Sequence, residues 1–254
     1  MELLPIEVVQ KIVFESGLGC EDVLGVVLSG KGMHEKVLGG LGRGNEYDRD
    51  QWRATGGVGL CVRKEWWRGA QLAVERGYGD VEEVVEVDWW WNEVCVLTAA
   101  CVRNQVEVVR ALVEMGGVDP SRGDNQAIRL ASSMGCTEVV ELLLGDGRVD
   151  PGARENEAIQ MAAENGQVGV VELLLGAEGV DPGAGNNHAL YEACLRGRVR
   201  VVELLLGGGG VEVGEEEAGE ILGLVGRFGQ EGVREVLLRD GRFGGEEGGG
   251  EGSE

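Results

Sequence analysis

Proline is scarce in this chain, with four among 254 residues, and three of the four close the same tripeptide. Histidine is rarer still, at two (His34 and His188), and no cysteine stands in a Cys-x-x-Cys pair. Structural zinc needs four ligands at suitable spacing, and nucleophilic catalysis needs a base within hydrogen-bond reach. Two distant histidines supply neither, so no metal, no cofactor and no enzymatic activity are expected. The four lysines (Lys11, Lys31, Lys36, Lys64) all precede residue 65, and the formal net charge is −22. That balance argues against a nucleic-acid groove, which needs clustered Lys and Arg, and against an anionic membrane surface. No apolar run approaches the ~18 residues of a membrane helix. The opening Met1-Glu2-Leu3-Leu4-Pro5-Ile6-Glu7 shows no basic leader, so secretion is not expected. Six cysteines (Cys20, Cys61, Cys95, Cys101, Cys136, Cys194) are scattered, several inside helical patterns where a small buried thiol is ordinary. They are expected to be reduced, in the cytoplasm or the nucleus.

What the chain does have is a period. Val-Asp-Pro occurs at Val118-Asp119-Pro120, Val149-Asp150-Pro151 and Val180-Asp181-Pro182, a stride of 31 residues. The same stride carries Asn125, Asn156 and Asn187; Ala131, Ala162 and Ala193; Gly135, Gly166 and Gly197; and three triple leucines ending at Leu144, Leu175 and Leu206. Self-similarity at such a period marks stacked repeats, which display a long surface rather than enclose a pocket. Outward, Leu97, Ala100, Val108-Val109 and Ala111-Leu112-Val113 continue the register. Leu72-Ala73, Gly77 and Val84-Val85 suggest a shortened first copy. Downstream, Ile221, Leu224, Gly229 and Val236-Leu237-Leu238 form a worn copy with one inserted residue.

Within a unit the residues read as helix, turn, helix and extended link. Asp124 or Asn125 is placed to cap the first helix, and Gly135 to end it in the left-handed conformation. Val139, Val140, Leu143 and Leu144 then give the second helix an apolar stripe that must be covered. In the link, Pro151 forbids helix and Gly152 permits the turn. Leu143, Leu174 and Leu205 are expected to be structural.

These residues resemble the ankyrin repeat, whose Thr-Pro-Leu-His-x-Ala, Gly-His and Val-Val-x-Leu-Leu-Leu elements map here in order over roughly residues 64 to 243. Its leucine and alanine are kept as Ile128 and Ala131, Ile159 and Ala162, Leu190 and Ala193. Its Thr becomes Gln126, Glu157 or His188, its Pro becomes Ala127, Ala158 or Ala189, and its His becomes Arg129, Gln160 or Tyr191. The hydroxyl–imidazole bond of the motif is therefore absent, and capping by the preceding Asn is expected in its place. The resemblance implies an all-α ankyrin-repeat solenoid of about six units (64–88, 89–118, 119–149, 150–180, 181–211 and 212–243). It also implies a concave face that binds another protein. Carried over by position, that face comprises Arg129, Ser132 and Ser133; Gln160, Ala163 and Glu164; and Tyr191, Cys194 and Leu195. The link tips add Ser121 and Arg122, Ala153 and Arg154, and Ala184.

Residues 1–38 fall outside the period. Leu4-Pro5-Ile6-Glu7 with Val9 and Ile12, then the apolar spacing of 21–29, resembles an F-box opening. That resemblance implies docking of Leu4, Pro5, Ile6, Val9 and Ile12 on the adaptor subunit of a cullin-RING ubiquitin ligase, with the repeats recruiting substrate. The other reading is a helical cap on a passive ankyrin scaffold. Residues 39–63 suit a connector, and 244–254, only Gly, Glu and one Ser, are expected to be disordered. Gly25 to Gly32 mimics a phosphate-binding loop, but no hydroxyl follows Lys31. All six tryptophans lie between Trp52 and Trp91; they read either as filler of an irregular junction or as an interface patch. A monomer is expected, binding neither nucleic acid nor membrane.

Overall fold

Val139, Val140 and Leu143 lie along one side of a helix only eight residues long, and all three are fully buried. A helix of that length does not persist alone, since isolated helices below about 12–15 residues are marginal; its neighbours hold it. The computed structural model describes residues 84–85, 94–114 and 118–243, which divide between two compact units, 1–119 and 120–254. The F-box-like segment, the connector, the tryptophans, residues 64–83 of the first expected repeat and the Gly-Glu tail lie outside the described residues.

In the first unit, β1 (Val84–Val85) pairs antiparallel with β2 (Val94–Cys95), and α1 (Val96–Val102) and α2 (Val106–Glu114) follow as a hairpin. The apolar stripe of α2 buries Val108, Val109 and Leu112. Asn104 makes the turn at φ 53°, where the later copies carry glycine; Asn is among the residues that tolerate that region. Val84-Val85 departs from expectation. The valine pair that stands in the second helix of the next four copies is a strand here, a conformation that β-branched residues favour.

The second unit holds four helical hairpins: α3 (Arg122–Met134) with α4 (Thr137–Leu144), α5 (Ala153–Asn165) with α6 (Val168–Leu175), α7 (Ala184–Leu195) with α8 (Val199–Gly207), and α9 (Glu215–Arg227) with α10 (Glu231–Arg239). The first helices pack in the order α3, α5, α7, α9, and the second helices in the order α4, α6, α8, α10, giving two parallel layers. Among the described residues there are therefore five hairpins, against the six copies read from the sequence. Between the layers lie Ile128, Ile159, Leu190 and Ile221 from the inner row, and Leu143, Leu174, Leu205 and Leu237 from the outer row, all buried. Each such side chain contributes about 1.5–3 kcal/mol by leaving water.

Adjacent hairpins are also joined by polar bonds. Gln167 Nε2 donates to the Ser133 carbonyl (3.1 Å), Arg198 Nε to that of Glu164 (3.2 Å), and Gln230 Nε2 to that of Leu195 (3.1 Å). Each reaches back one unit to a carbonyl near an inner-helix C-terminus, where four go without helical partners. These side chains pass over Gly135, Gly166 and Gly197, which have φ of 75°, 76° and 67°. A Cβ at Gly166 would sit 2.8 Å from Arg198 Cδ. Glycine is needed here twice over, for the left-handed backbone and for the approach.

The asparagines correct a sequence expectation. None of α3, α5 and α7 has a side-chain cap bond at its start. Instead Asn125 and Asn156 are buried, and their Oδ1 atoms accept from the Asp150 and Asp181 backbone N–H at 2.9 and 2.7 Å. Asn187 Nδ2 donates to the Glu212 carbonyl (2.7 Å) and to Glu217 Oε1 (2.9 Å). The next link has no ladder of its own, so its backbone groups need partners; the buried amides need them equally. The last hairpin has no such asparagine. There Arg242 donates to the Leu206 carbonyl (2.7 Å) and the Val211 carbonyl (2.8 Å), and Phe243 buries itself where earlier links place valine.

Candidate functional site

Three of the inner helices, α3, α5 and α7, do not begin as ordinary helices. Three consecutive residues of each lie in the left-handed region: Gly123, Asp124 and Asn125 (φ 64°, 55°, 60°), Arg154, Glu155 and Asn156 (54°, 58°, 65°), and Gly185, Asn186 and Asn187 (64°, 58°, 58°). For a residue with a Cβ this region costs about 1–2 kcal/mol, so the surrounding structure must hold the turn. Backbone bonds from Asn125 N to the Ser121 carbonyl (2.8 Å) and from Asn156 N to that of Gly152 (2.9 Å) close the first two. Arg129 then ties the first turn down, donating from Nε to the Asp124 carbonyl and from Nη2 to that of Gly123, both at 3.0 Å. Gln160 Nε2 does the same for the Glu155 carbonyl at 2.7 Å.

This changes the assignment of the candidate front. Arg129, expected on the concave face, is only 8% exposed, because its guanidinium turns back onto the left-handed loop and onto Glu157 Oε2 (2.6 Å). Ser132 is fully buried and its hydroxyl has no hydrogen-bond partner; Ala163 and Cys194 occupy the same position in the next units and are buried too. These four do not line an open face. Burial also pushes the Cys194 thiol up to about 12. Ser133, Gln160, Glu164, Tyr191 and Leu195 are partly exposed, Arg122 and Arg154 are exposed, and Ser121, Ala153 and Ala184 are partly exposed at the link tips.

The structure brings several of these together. Arg154 Nε bonds Glu157 (2.8 Å) beside Arg129, and its Nη1 stands 3.8 Å from Asp124. One unit on, Arg196 joins Glu164 (2.6 Å) to Glu192, and Asn165 Nδ2 donates to the Ser133 hydroxyl (3.2 Å). The sequence reading missed a row: the residues directly before the left-handed glycines, Met134, Asn165, Arg196 and Phe228, are all exposed. Met134 is 53% and Phe228 58% exposed. Their common place, immediately N-terminal to the glycine that stops each inner helix, was the available signal.

Among the described residues no three of His, Cys, Asp and Glu converge as a metal site, and no helix is long and apolar enough to cross a membrane. The four described cysteines are free and buried. Between α8 and α10 the outer layer has an open depression lined by Glu203, Leu206, Gly207, Val236, Arg239 and Asp240, not an enclosed chamber.

Residues 155–187 match the ankyrin repeat family. No curated protein sequence matches the chain. Among solved structures, the ankyrin repeat domain of Bcl-3, described as a unique member of the IkappaB protein family, superposes with a TM-score of 0.56 at 21% identity. The match covers 72% of this chain and 85% of that one. EF0377, an ankyrin repeat protein, gives 0.57 at 21% identity over 72% of this chain and 97% of that one.

Proposed function

From an all-α ankyrin-repeat solenoid, we propose that this chain acts by holding another protein against the front of its repeats, with no chemistry of its own. One observation carries the reading. At a single register position the framework is constant while the side chain is not: Met134, Asn165, Arg196 and Phe228 differ in chemistry and all face solvent. Two of them are large apolar groups left wet, which is the kind of anchor that contributes most when a partner covers it. The test is cross-linking of the full chain in its native extract, compared with a Met134→Glu/Phe228→Glu variant of unchanged melting point. Partners held by the wild type and lost by the variant support the reading; a wild type with no reproducible partner sinks it.

A narrower form adds ligase recruitment. It rests on Leu4-Pro5, Glu7 and Ile12 and makes the chain a substrate-recruiting subunit, with residues 4 to about 36 docking on the adaptor. Without that docking the chain is an ankyrin scaffold, the broader reading, which needs only the described repeats. Retention on immobilised adaptor, abolished by Leu4→Asp/Ile12→Asp, decides for the ligase; failure of the intact chain to be retained decides against it.

A further inference from the structure

Asn165-Gly166 is the one asparagine in the chain that is followed by glycine. That pairing has its own chemistry, because no Cβ on the second residue hinders its nitrogen from closing on the asparagine carboxamide. Asn104, Asn125, Asn156, Asn186 and Asn187 precede Gln, Gln, Glu, Asn and His, whose side chains stand in the way. In the structure both reacting groups of the pair are occupied. Asn165 Nδ2 donates to the Met161 carbonyl at 2.9 Å, which turns the carboxamide back along α5 and away from Gly166, and to the Ser133 hydroxyl at 3.2 Å. The Gly166 N–H is donated to the Ala163 carbonyl at 3.1 Å. Above the pair, Arg198 reaches back from the next hairpin to the Glu164 carbonyl at 3.2 Å. All of these bonds lie at a helix end, and Asn165 itself is exposed. Exposed bonds at helix ends are among the first to open.

We propose that Asn165 is a self-modification site, silent while Arg198 covers Gly166, that converts when this joint opens and then keeps it from closing. Once the pair is released, the Gly166 nitrogen gives up its proton to solvent and attacks Asn165 Cγ. A C–N bond forms, the Cγ–Nδ2 bond breaks, and ammonia leaves a five-membered succinimide. Water opens that ring at one carbonyl or the other, giving aspartate or isoaspartate; no oxidant, reductant or cofactor takes part. Isoaspartate routes the main chain through the former side chain and adds one methylene to the backbone just before Gly166. The seat has no room for it: a single Cβ on Gly166 would already stand 2.8 Å from Arg198 Cδ. Aspartate keeps the backbone, but it loses both N–H donors and sets a carboxylate beside the Met161 carbonyl, two acceptors with no proton between them. Either product also puts a negative charge into the exposed row of Met134, Asn165, Arg196 and Phe228.

The test is to incubate the full chain at mildly alkaline pH, folded in buffer and unfolded in urea, and to follow Asn165 by peptide mapping. Mass spectrometry reads the exchange of –NH2 for –OH, and enzymatic methylation of isoaspartate reads the second product. Unfolded chain is expected to convert at Asn165 ahead of every other asparagine, and folded chain at least about tenfold more slowly, because reaction then waits on local opening. Arg198→Ala and Ser133→Ala each remove one restraint while leaving the Asn-Gly pair intact, so both should speed conversion of the folded chain and leave the unfolded rate unchanged. Converted protein, separated by its extra negative charge, should melt below the unconverted fraction, the isoaspartate form lowest. Equal rates in folded and unfolded chain, conversion spread evenly over the asparagines, folded rates unmoved in both variants, or identical melting of converted and unconverted protein each overturns the proposal. None of these results bears on whether the repeats hold a partner, which stands or falls on the cross-linking above.

Discussion

Replacing Gly197 by alanine probes the place where one repeat leans over the end of the one before it. Gly197 ends α7 at φ 67° beneath Gln230, whose Nε2 donates to the Leu195 carbonyl at 3.1 Å. A methyl there would fall inside contact distance of Gln230 Oε1. Two costs follow. The left-handed backbone costs about 1–2 kcal/mol for a residue with a Cβ. The Gln230 side chain must swing aside, giving up a hydrogen bond with a net contribution of about 1 kcal/mol. Gly197→Ala should therefore lose about 2–3 kcal/mol, and Gln230→Ala alone about 1 kcal/mol. In the double variant that bond can be lost only once, so the pair should also lose about 2–3 kcal/mol, a coupling of about 1 kcal/mol. Urea melts followed by helical circular dichroism give each value from the shift in midpoint at constant slope. Strict additivity, or a cost for Gly197→Ala below about 0.5 kcal/mol, would refute the claim that the neighbouring repeat crowds this glycine.

Leu174, fully buried in α6 with α4 and α8 on either side, should cost about 2–5 kcal/mol on truncation to alanine, and half-exposed Leu173 clearly less; the reverse order in the same melts would overturn the outer-layer assignment. Hydrogen bonding from Arg242 holds the Asp240 carboxyl below the ordinary aspartate range. Its contribution is thus complete above the unfolded value near 3.9 and lost as pH falls through the lower folded one. Asp240→Asn should flatten that part of an acid titration of stability, and an unchanged acid limb would show the pair to be inert. Cys194, buried and with its thiol pushed up to about 12, should resist iodoacetamide at neutral pH until urea unfolds the chain; prompt alkylation of the native protein would contradict its burial.

The stride of 31 residues carried most of the architecture, because each core position recurs with the same character: Ile128, Ile159 and Leu190 inside, Gly135, Gly166 and Gly197 at the turns. It did not reveal what the asparagines do. Asn before an apolar stripe reads as a cap, and only the left-handed turn, which no propensity favours for Arg154 and Glu155, swings Asn156 toward the following link. The same turn explains Arg129: a long side chain drawn as facing a partner folds back onto two carbonyls that the turn leaves open. Ser132 was misjudged against a visible sign, since Ser132, Ala163 and Cys194 are all small, as a position enclosed between neighbouring repeats requires. Val84-Val85 matched the helical register in sequence and pairs as a strand, since two valines alone suit either state.

The junctions between hairpins have a consequence for how long such a molecule has to be. The joints from α3 to α8 share the left-handed glycine seat and the asparagine bond to the next link, so cutting out residues 150–180 would splice Val149 onto Asp181. Asn125 would then meet the Asp181 amide instead of that of Asp150, and Arg198 would take the seat of Gln167 above Gly135. The length of the array is in this sense an editable quantity, shortened by one whole turn of the pattern with both of these seats kept.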